Sequence, residues 1–88
     1  MDFEDAAAWH AHLTVEQHAL LAYFEERNFT FDFHEVEADF KVQLPAGCVL
    51  TATVGRYEVF RERSIELRQA FDRMSTVLLI LLNHGRLE

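Results

Sequence analysis

Proline occurs once and glycine three times in 88 residues, so no stretch has the composition of a flexible joint. A single small domain over residues 1–88 is expected. Cysteine occurs once, as Cys48, which excludes a disulfide scaffold. The longest apolar run is Val77 to Leu82, far short of the ~20 residues that span a bilayer, so no membrane insertion is expected. Basic residues are scarce: 8 against 15 acidic ones, a net charge of −7 and a pI near 5.1. Binding to phosphate backbones needs the reverse balance, so direct nucleic-acid binding is not expected. There is no glycine-rich phosphate loop, no Gly-x-Ser-x-Gly and no His-Glu-x-x-His. The opening Met1-Asp2-Phe3-Glu4-Asp5 is acidic where a secretory signal is basic, which predicts a cytoplasmic location. What is abundant is apolar: 50% of the residues, including eight Phe, enough to exclude disorder and to build a core. A chain this short still buries a modest fraction of its surface and is marginally stable alone.

The patterning predicts an α+β fold in the order α-β-β-β-α. Asp2 to Asn28 reads as a helical segment: Asp2, Glu4 and Asp5 favour a first turn, and Ala6-Ala7-Ala8 is strongly helix-forming. Thr14 and Gln17 have capping-box spacing, which puts a break near Leu13 and starts a second helix with Val15, Ala19, Leu20 and Phe24 on one side. Asn28 suits a left-handed terminator. From Phe29 the period becomes two. Phe29, Phe31 and Phe33 alternate with Thr30, Asp32 and His34 in a first strand. Glu35 to Ala38 reads as a turn, and Phe40, Val42 and Leu44 as a second strand whose apolar face packs on helices beside the three Phe. Pro45-Ala46-Gly47 is a turn signal, and Cys48 to Val54 a third strand. The short connections make a three-stranded antiparallel meander. Tyr57 to Asn83 reads as one long C-terminal helix between Gly55 and Gly85, with an apolar stripe at Tyr57, Phe60, Leu67, Phe71, Met74, Leu78 and Leu81. At ~1.5 Å per residue it would be roughly 40 Å long, more than a small sheet can cover. Self-association follows as an expectation: a homodimer in which Phe71, Met74, Leu78, Leu79, Ile80 and Leu82 form the interface.

The charge is lopsided. Residues 1–40 hold ten acids and one base, Arg27, a balance of −9, whereas residues 41–88 hold five acids and seven bases, a balance of +2. An acidic field of this kind suits a partner protein with a basic surface. Glu25, Glu26, Asp32, Glu35, Glu37 and Asp39 are the expected contact acids. The five histidines offer no helical metal pair: His10 and His12 are two apart, and His18 lies eight residues, more than two turns, beyond His10. His34 has Asp32 on its strand face, and His84 suits a helix C-terminus. No metal or other cofactor is expected. Cys48 has no local base to activate it and reads as a small buried side chain. No catalytic residues are assigned, and the chain is expected not to be an enzyme.

Two partial likenesses bear on function. Leu13-Thr14-Val15-Glu16-Gln17-His18-Ala19-Leu20-Leu21 resembles the start of a helix in winged-helix regulators of the MarR type, but no basic recognition helix follows. The element order, size and acidity are similar to the first part of type III secretion chaperones, a resemblance that implies a dimeric cargo-binding chaperone. The leading expectation is a non-enzymatic protein-binding module. Its form would be a small acidic inhibitor or adaptor, of the sort phages and mobile elements direct against host machinery, that docks on a basic surface of a larger protein.

Overall fold

A computed structural model describes residues 6–84. The expectations at Asp2, Glu4, Asp5 and Gly85 fall outside them. A short 3-10 helix, Ala6–His12, leads into α1, Val15–Glu25. Three strands follow, β1 (Phe29–Val36), β2 (Gly47–Val54) and β3 (Tyr57–Ser64), and α2 (Leu67–Asn83) closes the chain. The strands form one antiparallel sheet in the order β1-β2-β3, so the meander and the α-β-β-β-α order are as expected.

Local chemistry accounts for the boundaries. The Thr14 hydroxyl accepts from the Gln17 backbone N–H at 3.2 Å, and the Gln17 Oε1 accepts from the Thr14 N–H at 3.0 Å, a complete capping box. At the other end of α1, Asn28 takes a left-handed conformation with φ of 70° and turns the chain into β1. The buried face of α1 runs through Gln17, Leu21 and Phe24; Val15 and Ala19, expected on that side, are exposed.

Two segments differ from expectation. Tyr57–Ser64 is β3, not the first turns of a helix. Gly55, with φ of 60°, and Arg56 make a two-residue hairpin turn that returns the chain straight along β2, and sheet pairing then overrides the helical spacing. A bulge sets Ala52 opposite Phe60 but Thr53 opposite Glu58, skipping Val59. The second expected strand, Phe40 to Leu44, lies in the connection between β1 and β2. Asp39 and Leu44 pair with each other across a tight turn, so the run closes on itself instead of joining the sheet, and Phe40, Val42 and Leu44 are exposed instead of packed on helices.

With β3 removed from it, α2 has 17 residues and a length of about 25 Å, which matches the ~26 Å of an eight-residue strand. The helix is therefore no longer than the strands it packs on. Leu67, Ala70, Phe71, Met74, Ser75 and Leu78 form its buried face. They meet Cys48, Leu50 and Ala52 from β2, and Phe29 and Phe33 from β1, in one core. Trp9 of the 3-10 helix stacks on Phe33 at 5.9 Å between ring centroids, and Phe24 sets its ring against the edge of Phe29 at 5.8 Å. Among the described residues no helix is long and apolar enough to cross a membrane.

Candidate interaction surface

Since all the helices pack on one face of the sheet, the other face is open. Opposed residues share a face in an antiparallel pair, so the register places Thr30, Asp32 and His34 of β1, Val49, Thr51 and Thr53 of β2, and Glu58, Arg61 and Arg63 of β3 on the open side. Arg61 donates from Nε to both carboxylate oxygens of Glu58 at 3.1 Å and from Nη2 to Oε1 at 2.6 Å. These bonds hold the Glu58 carboxyl below the usual carboxylate range. Arg63 reaches sideways: its Nη2 donates to the Glu37 carbonyl at 3.0 Å and the Pro45 carbonyl at 2.7 Å.

Those two carbonyls belong to the β1–β2 connection, and Arg63 ties its two limbs together. Within it, Asp39 and Leu44 exchange backbone bonds of 2.8 and 2.9 Å, and the Asp39 Oδ1 accepts from the Lys41 N–H at 3.0 Å. Gln43 sits at φ 57° to close the turn. The connection is thus a small hairpin pinned by five hydrogen bonds. At its tip Phe40 is 89% exposed and Val42 61% exposed. An order this complete around side chains this bare is unusual: the backbone is fixed, yet its largest apolar groups face water. Beside the hairpin, Leu44, Pro45 and Ile65 border a shallow cleft that Gln69 and Arg73 of α2 close.

All six expected contact acids are exposed. They do not converge. Glu25 and Glu26 end α1 at the start of β1, while Glu37 and Asp39 stand at the base of the hairpin beyond its far end. β1, eight residues long, separates the two groups by about 26 Å at ~3.3 Å per residue. Asp32 lies between them on the open face, and Glu35 points to the core side, opposite Cys48. The hairpin, not the acidic run, is what draws apolar and charged groups together, and sequence reading missed it. Its signal was Asp39 ahead of Lys41 and Pro45 after Leu44: turn residues bracketing the alternating run.

The expected dimer face divides in the same way. Phe71, Met74 and Leu78 are wholly covered by the chain itself and offer no surface. Leu79 and Leu82 are half-buried against the core, and Ile80 alone is exposed, at 51%.

The remaining chemistry-bearing groups are scattered. Cys48 is buried; burial pushes its thiol up, and the Glu35 carboxylate across the register adds to the shift. A thiol in that state is the opposite of an activated nucleophile. His34 is exposed on the open face, and His84 caps α2 through its backbone N–H to the Ile80 carbonyl. The sequence spacing set His10 and His18 more than two turns apart, but the helix breaks at Leu13 and Thr14, and their ring centroids lie 6.1 Å apart. Among the described residues no three or more His, Cys, Asp or Glu cluster as metal ligands. Compared with protein-family models, curated proteins and solved structures, the chain matches none.

Proposed function

We propose that this chain is a non-enzymatic protein-binding module, a small acidic inhibitor or adaptor, that docks through the hairpin at residues 37–44. The observation that carries the reading is the tip: Phe40, 89% exposed, on a backbone pinned from both sides. The entropy of ordering a contact loop is a large part of what association costs, and here folding has already met it. Phe40 and Val42 form an apolar centre on either side of Lys41, and Glu37 and Asp39 form an acidic margin at the base of the hairpin. The complementary partner has an apolar pocket edged with Lys and Arg. A cargo chaperone of the kind the element order resembles would use an apolar sheet face. Here that face lies under the helices, and the open face is polar apart from Val49, carrying Thr, Asp, His, Glu and Arg side chains.

The test is affinity capture from the native host with three forms of the chain. Wild type and the Glu25→Lys/Glu26→Lys variant retain the same proteins, whereas Phe40→Ala loses them with an unchanged melting temperature. Retention by Phe40→Ala refutes docking through the hairpin. Loss with Glu25→Lys/Glu26→Lys moves the contact to the other end of β1.

Pairing of two copies through the end of α2 is a second proposal, resting on Ile80 between half-buried Leu79 and Leu82. Light scattering tests it: pairing gives twice 10.3 kDa, and a mass of 10.3 kDa at micromolar concentration eliminates it.

A further inference from the structure

We propose that His10 and His18 together bind one divalent transition-metal ion of the zinc, nickel or copper type. The site is made by the fold and is invisible in helical spacing. The Leu13 N–H closes the last turn of the 3-10 helix on the His10 carbonyl at 3.1 Å, and Thr14 then caps α1. The chain changes direction between them, and the two imidazoles meet with 6.1 Å between centroids and 79° between planes. An imidazole nitrogen lies ~1.1 Å from its ring centroid and binds zinc at ~2.1 Å, so two rings sharing one ion have centroids about 5–6 Å apart. The observed separation lies just beyond that window. Both side chains are exposed, so a small rotation closes the gap and water completes the coordination.

The backbones under the two rings are already placed. His10 follows Trp9, which is buried against Phe31 and Phe33 of β1, and His18 sits in the first turn of α1 with its N–H bonded to the Thr14 carbonyl at 2.9 Å. Neutral imidazole pairs select nickel, copper and zinc over calcium and magnesium, which prefer oxygen. An ion held by both rings clamps the 3-10 helix to α1 and so favours the folded chain over the unfolded one. This inference does not depend on the hairpin at residues 37–44.

Trp9 is the one tryptophan of the chain, and its ring lies 6.0 Å from that of His10, so it reports an open-shell ion bound there. Untagged full-length protein titrated with nickel is expected to show saturable quenching at one ion per chain, and a melting temperature that rises with nickel concentration. His10→Ala and His18→Ala should each raise the half-saturating concentration at least tenfold and remove the thermal shift. His12→Ala and His34→Ala should leave both within twofold. The proposal fails if His18→Ala quenches at the wild-type concentration, since one imidazole then suffices. It also fails if His34→Ala weakens binding as much as His10→Ala, or if quenching rises without saturation.

Discussion

Replacing Gln17 by Leu should destabilise the protein by about 2–3 kcal/mol, and the structure sets that figure bond by bond. Gln17 is only 5% exposed and serves three partners. Its Oε1 accepts from the Thr14 N–H at 3.0 Å; its Nε2 donates to the Arg68 carbonyl at 3.1 Å and to the Asp72 Oδ1 at 2.9 Å. Leucine keeps the volume and the Thr14 hydroxyl cap but removes all three bonds. Losing the return half of a capping box costs about 0.5–1 kcal/mol. A neutral tertiary hydrogen bond contributes about 1 kcal/mol and one to a charged group about 1.5–3, the latter reduced here because Asp72 is exposed and rehydrates. Extra apolar burial offsets part of the total. For a domain of this size the loss corresponds to a fall in Tm of roughly 8–24 °C. Urea melts followed by circular dichroism measure it, with the m-value unchanged. Thr14→Ala, which removes one capping bond, should cost about 1 kcal/mol. A Gln17→Leu protein within 0.5 kcal/mol of wild type would refute the claim that this amide joins α1 to α2.

Gly47→Ala should destabilise by at least about 2 kcal/mol, because a Cβ there would lie 2.2 Å from the backbone oxygen of Ser64 and only a main-chain shift could relieve it. Gly55→Ala meets no atom within 4 Å and pays only for φ of 60°, about 1 kcal/mol, so the order of the two melting midpoints checks the packing. Stability should also fall in alkali through Cys48, whose folded thiol is raised by burial and then by Glu35. The unfolded thiol ionises first, near pH 8.5, so this contribution is whole below that pH and is lost as pH rises through the folded value. Urea midpoints between pH 7 and 10 should therefore decline more steeply in wild type than in Cys48→Ala.

The helical and strand periods of the first half were legible where a single local rule governed. Thr14 and Gln17 announced the start of α1, Asn28 its end, and the alternating Phe29, Phe31 and Phe33 the strand β1. The errors came where two periods fitted the same residues. Tyr57, Phe60 and Ser64 have helical spacing, but Phe60 and Ser64 are also four apart and so share a strand face with Glu62 between them. The two-residue Gly55-Arg56 turn, read as the border of a helix, decided the matter by giving β2 a neighbour. With β3 in the place beside β2, the run from Phe40 to Leu44 closed on itself between Asp39 and Leu44, a reassignment that moved its apolar side chains from core to surface. The approach of His10 to His18 was hidden for a related reason: angular spacing holds only along an unbroken helix, and this one ends at His12.

That reassignment also changes how charge can act. Across ~8 Å of screening length, Glu25 and Glu26 cannot reinforce Glu37 and Asp39 from the opposite end of β1, so the −9 of residues 1–40 does not act as one field at a contact. A contact centred on Phe40 takes its strength from burial, roughly 1.5–3 kcal/mol for each fully covered Phe or Val. The nearby carboxylates then govern the rate of encounter and the choice of partner more than the depth of binding. The division is measurable once a partner is in hand. Glu37→Gln/Asp39→Asn should lower the association rate and flatten its salt dependence while leaving dissociation nearly unchanged, whereas Phe40→Ala should speed dissociation. A pair of variants that reversed those roles would make the acids the anchor and the hairpin tip incidental.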